Sequence, residues 1–105
     1  MIYAFDCDGV ICETEGIAVG APDYMTSIPK VGNIKKINAL YDMGHKVIIF
    51  TGRGALSGID WRDLTEKQFK DWGLKYHELI FGKPYFDYFI DDRAWNVKDF
   101  EAGLL

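Results

Sequence analysis

Four apolar runs in this chain each stop at a short polar island. Met1-Ile2-Tyr3-Ala4-Phe5 ends at Asp6-Cys7-Asp8-Gly9, His45 to Phe50 at Thr51-Gly52-Arg53, Glu78 to Phe81 at Lys83-Pro84, and Tyr85 to Ile90 at Asp91-Asp92. Read as parallel strands, the runs place every island at a strand C-terminal end, where an open α/β sheet forms its ligand crevice. Such a crevice would gather four carboxylates, a hydroxyl, a guanidinium and an ammonium.

The first two intervals between the runs are long enough for crossovers, whereas the short link between Phe81 and Tyr85 implies that the last two strands are not adjacent partners. Gly9 to Lys30 carries Gly16, Gly20, Pro22 and Pro29 and reads as an irregular flap over the sheet edge. After it, Val31, Ile34, Ile37, Leu40 and Tyr41 recur at helical spacing, with Gly44 placed to end the helix. The segment His45 to Thr51 holds a continuous β-branched and aromatic run, expected of a strand covered on both faces. Asp63 to Trp72 reads as a second helix stopped by Gly73, and Thr65 and Gln68 have the spacing of a capping box. Ala94 to Glu101 reads as a terminal helix. The order β, α, β, α, β, β, α predicts one α/β domain over residues 1–105, a small Rossmann-like parallel sheet with flanking helices.

Composition narrows the partners. Twelve basic against sixteen acidic residues give a net charge of -4, and no basic stripe tracks a nucleic-acid backbone. The apolar start breaks at Asp6, short of a signal-peptide core, and no run has membrane-spanning length. Cys7 and Cys12 are too few for a disulfide framework and lack zinc-site spacing, so a reducing cytoplasm is the expected compartment.

The islands suggest phosphoryl chemistry. Alternation along a strand lets Asp6 and Asp8 share a side while Cys7 points away. Two carboxylates brought together are relieved by a divalent cation or by a proton on one of them. One can then attack phosphorus while the other protonates the leaving oxygen. Thr51, Gly52 and Arg53 offer a hydroxyl, open amides and a guanidinium to a phosphate, and Lys83 adds an ammonium. Asp91-Asp92 emerge from an apolar run as a second acidic pair, the pattern of a metal site. His45 and His77 open strands, so both belong at the opposite edge as structural groups. Glu13, Glu15, Trp61 and Arg62 lie in segments that border the crevice.

In this order, Asp6-Cys7-Asp8-Gly9, Thr51, Lys83 and Asp91-Asp92 resemble the four motifs of the haloacid dehalogenase superfamily, and Asp8 points to its phosphotransferases. The resemblance covers Met1 to about Trp95. It implies a Rossmann-like domain in which Asp6 forms an aspartyl-phosphate and Asp8 protonates the leaving alkoxide and then activates water. It further implies Mg²⁺ held by the Asp6 carboxylate, the Asp8 backbone carbonyl and Asp91, with Asp92 assisting, while Thr51 and Lys83 hold the phosphoryl group. The intervals that carry a cap domain in most members are too short here, so the resemblance is to capless enzymes, which tend to form homo-oligomers. Phe50 to Gly54, Glu78 to Pro84 and Ile90 to Asp92 look like small phosphatases of bacterial capsule and surface-polysaccharide biosynthesis, which makes a sugar phosphate the leading substrate class.

Two other readings stay open. One is a phosphatase of another small phosphometabolite or a nucleotide. The other is a non-catalytic phosphoacceptor or binding module; receiver domains use similar residues, but their acidic pair precedes the lysine in the chain, whereas Asp91-Asp92 follow Lys83.

Overall fold

The run Lys46–Phe50 becomes the central strand of a parallel sheet in the computed structural model, which describes residues 1–103. The elements are β1 (Ile2–Phe5), β2 (Cys12–Glu13), β3 (Ile28–Pro29), α1 (Val31–Asp42), β4 (Lys46–Phe50), α2 (Arg62–Trp72), β5 (Glu78–Ile80) and α3 (Val97–Glu101). The sheet order is β1-β4-β5, with Phe5 opposite Ile49 and Phe50 opposite Ile80. The flap is not wholly irregular: β2 and β3 pair antiparallel, and short 3-10 turns occupy Ile17–Val19 and Tyr24–Thr26.

Each crossover steps the same way across the sheet, and right-handed connections then place α1 and α2 on the same face. Burial follows this geometry. Phe5, Val47 and Ile49 pack with Ile34, Ile37 and Leu40 of α1 and Phe69 of α2 in one buried cluster. The alternate residues of the strands fare differently: Ile2 is 68% exposed and Ile80 is exposed, while Ile48 and Phe50 are half-buried. The expectation that β4 is covered on both faces is therefore corrected. A continuous apolar run reports burial, but only one of its faces has helices on it.

Two further expectations change. The capping-box spacing of Thr65 and Gln68 does not start α2. That helix begins at Arg62, whose backbone N–H is held by the Asp60 carboxylate at 3.0 Å, and Thr65 and Gln68 lie buried inside it. The segment Tyr85 to Ile90 forms no strand. Its large apolar residues stand side by side rather than alternating, and Phe86 and Phe89, 5.3 Å apart, gather instead around the Lys83 ammonium. The terminal helix is shorter than expected, starting at Val97 with Asn96 as its cap.

The histidines sit where the strand polarity places them. His45 Nδ1 lies 2.9 Å from the N-terminal amine, and His77 Nδ1 accepts the Val47 N–H at 3.0 Å. Both are at the N-terminal edge of the sheet.

Candidate active site

β1 delivers Asp6 at its C-terminal end, and the chain then turns sharply. The Cys7 carbonyl accepts N–H groups from Val10, Ile11 and Cys12 at 3.2, 2.8 and 3.3 Å, so one oxygen closes the whole turn. Asp6 Oδ1 accepts the Cys7 N–H at 2.8 Å, and Asp6 Oδ2 meets Lys83 Nζ at 3.1 Å. Lys83 reaches this point because its own N–H bonds the Thr51 carbonyl at 3.2 Å just beyond β5. Its ammonium lies 5.3 and 5.9 Å from the Phe86 and Phe89 ring centres, an apolar flank that favours the pairing with Asp6.

Two cavities meet at this ion pair, and Asp6 and Lys83 line both. The first, about 580 Å³, runs past Asp91 and the exposed side of β1. The second, about 470 Å³, is walled by Asp8, Gly52, Tyr24, Trp61 and Tyr85 among others. An anion entering it finds an ammonium and the glycine-bearing turn after β4. Close approach there explains Gly52: a Cβ at this position would stand 3.2 Å from the Lys83 carbonyl oxygen.

The Asp8 carboxylate is held from behind by other side chains. Its Oδ1 accepts Arg53 Nη2 at 2.9 Å and the Thr14 hydroxyl at 2.6 Å, and its Oδ2 accepts Arg53 Nε at 3.1 Å. Arg53 was expected on the phosphate, but its side chain has no exposure and its Nη1 donates to Thr65 Oγ1 at 3.1 Å and Gln68 Oε1 at 2.6 Å. Burial pulls the guanidinium pKa down, but the hydrogen bond to Asp8 together with the surrounding acidic groups outweighs it and the net direction is up. Arg53 is therefore a fixed cation behind Asp8. The Thr51 hydroxyl is also turned inward, because Thr51 continues the Val47 and Ile49 side of β4; it is fully buried and accepts the Arg53 N–H at 3.1 Å. It stands at the wall of neither cavity.

The acidic groups divide unevenly as metal ligands. Asp6 and Asp91 carboxylates line the same cavity, and hard oxygen donors of this kind suit Mg²⁺. Asp91 Oδ1 presently accepts the Arg93 N–H at 2.6 Å. The Asp8 carboxylate is committed to Arg53, and Asp92, 90% exposed, lines neither cavity. Among the described residues, the one cluster of three close potential ligands is Cys7, Asp8 and Cys12. The guanidinium already fills that place, since Arg53 Nη2 lies 3.5 Å from Cys12 Sγ as well as against Asp8. The hydrogen bond from Cys7 to Cys12, followed by burial, pushes the Cys7 thiol up, so Cys7 stays protonated.

Motif reasoning passed over Thr14, Tyr24 and Ser27, and gave Thr65 and Gln68 only a capping role. Tyr24 stacks under Arg53 at 4.7 Å, Ser27 accepts from Arg53 Nη2 at 3.4 Å, and Gln68 Nε2 donates to the Tyr24 carbonyl at 2.6 Å. One signal for them was present. Thr65, Gln68, Phe69 and Trp72 recur at helical spacing on one stripe of α2, and two polar members on a stripe that includes Phe69 and Trp72 call for a buried polar partner. Of the flap acids, Glu13 pairs with Lys30 at 3.4 Å, and Arg62 turns to Glu66 and the Leu79 carbonyl.

The turn carrying Arg53 depends on Gly54. Its φ is +84°, and a Cβ there would collide with the Ile59 carbonyl and come within 3.3 Å of Trp61 Cδ1. Gly54→Ala is expected to cost about 2 kcal/mol or more, since both left-handed backbone and a clash against main chain are imposed. A urea melt checks this, and a change below about 0.5 kcal/mol would contradict the tight packing of this turn.

No protein-family profile matches the chain, and no curated protein matches it. Among solved structures, the crystal structure of an MCSG target from Vibrio cholerae superposes with a TM-score of 0.81 at 20% sequence identity, covering 96% of this chain and 87% of that one. The likeness extends over the whole α/β architecture. Among the described residues, no helix is long and apolar enough to cross a membrane.

Proposed function

We propose that this chain is a capless phosphomonoesterase of the haloacid dehalogenase type, dependent on Mg²⁺ and acting on a sugar phosphate. The observation that carries the reading is the Asp6–Lys83 pair at 3.1 Å, set at the C-terminal end of the parallel sheet where two cavities meet. A carboxylate oxygen is exposed there beside a cation that can receive a phosphoryl group. The order of the four motifs supports the same reading.

In the proposed reaction, which starts from the acid form of Asp8, an Asp6 oxygen bonds to phosphorus as the bond from phosphorus to the leaving oxygen breaks, and Asp8 gives that oxygen its proton and becomes the carboxylate. Water then attacks the aspartyl-phosphate, its proton passes back to Asp8, and phosphate leaves with Asp6 restored. Lys83 offsets charge on the transferring group, and the backbone around Gly52 lies beside it. Asp6, Asp91 and the Asp8 carbonyl would hold Mg²⁺, which would supply charge neutralisation to the transferring group. The sugar-phosphate class rests on the resemblance of Phe50 to Gly54 and Glu78 to Pro84 to polysaccharide-pathway phosphatases.

The test is phosphate release from a panel of sugar phosphates, nucleotides and small phospho-acids, with Mg²⁺ and with a chelator. Release concentrated on sugar phosphates and lost on chelation is the expected result. Release spread evenly over the panel would overturn the substrate class while keeping the reaction. Silence over the whole panel would turn the reading to a non-catalytic phosphoacceptor or binding module.

A further inference from the structure

The buried network behind Asp8 has no part in the chemistry described so far, yet it controls the one carboxylate that must face the leaving group. We propose that Arg53 is the positioning residue for Asp8, and that Gln68 and Thr65 of α2 set Arg53 in turn. This inference rests on the phosphomonoesterase reading and adds to it a source of orientation for the acid.

The argument starts from how the oxygens of Asp8 are shared out. Oδ1 takes Arg53 Nη2 at 2.9 Å, the Thr14 hydroxyl at 2.6 Å and the Cys12 thiol at 3.5 Å, which fills it. Oδ2 takes only Arg53 Nε, at 3.1 Å, and keeps a lone pair. A two-point contact from a planar guanidinium fixes the rotation of the carboxylate as well as its position. Arg53 therefore decides which oxygen Asp8 presents to the cavity it lines, and the Asp8 side chain is 13% exposed against none for Arg53.

Arg53 cannot drift from this pose. Its Nη1 is held at 3.1 Å by Thr65 and 2.6 Å by Gln68, and its flat face lies on Tyr24 at 4.7 Å. Every N–H of the guanidinium is used. Gln68 bonds Arg53 through Oε1 and the flap through Nε2, at the Tyr24 carbonyl, so the flap and Asp8 share one support. Lysine in place of Arg53 keeps the charge and loses the fork, which separates orientation from electrostatics.

The experiment measures kcat/KM of the full-length chain in Mg²⁺ on monoesters whose leaving groups run from p-nitrophenol to n-butanol, for wild type, Arg53→Lys and Gln68→Leu. A poor leaving group needs the proton and a good one does not. Arg53→Lys is expected to lower hydrolysis of n-butyl phosphate by about 100-fold and of p-nitrophenyl phosphate by less than about 10-fold, the lower end of what general acid catalysis supplies. Gln68→Leu, which never touches Asp8, should steepen the same dependence by a smaller factor and serves if Arg53→Lys does not fold, as judged by its thermal melt. Equal losses on all esters, no loss, or a gain on n-butyl phosphate would each overturn the positioning role while leaving the phosphatase reading standing. A wild-type chain silent on the whole series would instead overturn the phosphatase reading, and the inference with it.

Discussion

Asp6→Asn is expected to abolish phosphate release, lowering kcat on the order of 10⁴-fold or more, as removal of a covalent nucleophile does. The amide keeps the shape of the side chain, and its oxygen can still accept the Cys7 N–H that Asp6 Oδ1 accepts at 2.8 Å. What disappears is the anionic oxygen facing Lys83. The variant should therefore fold and melt like the parent while failing to turn over. Parallel measurement of phosphate release and of the thermal midpoint checks both halves. Retention of more than about 1% of parental turnover would sink the assignment of Asp6 as nucleophile.

The largest stability effect is expected at Phe69→Ala. Phe69 is fully buried where α2 meets the sheet, with the Tyr76 ring 5.4 Å away and the Trp72 ring 6.3 Å away. Truncating a buried phenylalanine to alanine costs about 3–5 kcal/mol. Small domains have only about 5–15 kcal/mol in total, so the variant should lose on the order of 15 °C or more in melting temperature. The helices here lie on one face of the sheet, so this core carries a larger share of the fold than it would in a doubly covered sheet. A calorimetric or circular-dichroism melt decides, and a fall of less than about 3 °C would mean that α2 is not packed as described.

Much of the fold could be read from local pattern. The helical spacing from Val31 to Tyr41 became α1, the apolar run from Lys46 became β4, and Gly73 ended α2. Strand polarity alone brought Asp6 and Lys83 together and sent His45 and His77 to the other edge. Local pattern failed where a residue answers to a distant partner. Arg53 lies 45 positions from Asp8, so the spacing of neither residue encodes their contact, and a solvent-facing role on a phosphate was the natural expectation. Thr65 and Gln68 failed for a related reason, because the same three-residue interval that makes a capping box also puts two side chains on one helix face. The segment from Tyr85 to Ile90 failed through composition: aromatic content signals a strand, but adjacent aromatics cannot all lie on one side of a pleat.

The turn after β1 divides its labour by parity. Phe5 and Cys7 point into the buried cluster, while Asp6 and Asp8, one step along on either side of Cys7, stand at the cavities. The link between them is main chain, with the Cys7 carbonyl closing the turn and the Cys7 N–H on Asp6. Folding and chemistry are thus written on alternate letters of the same short word. The main chain at position 7 holds the acidic pair in place while its side chain answers to the core, so the turn carries two duties on one residue.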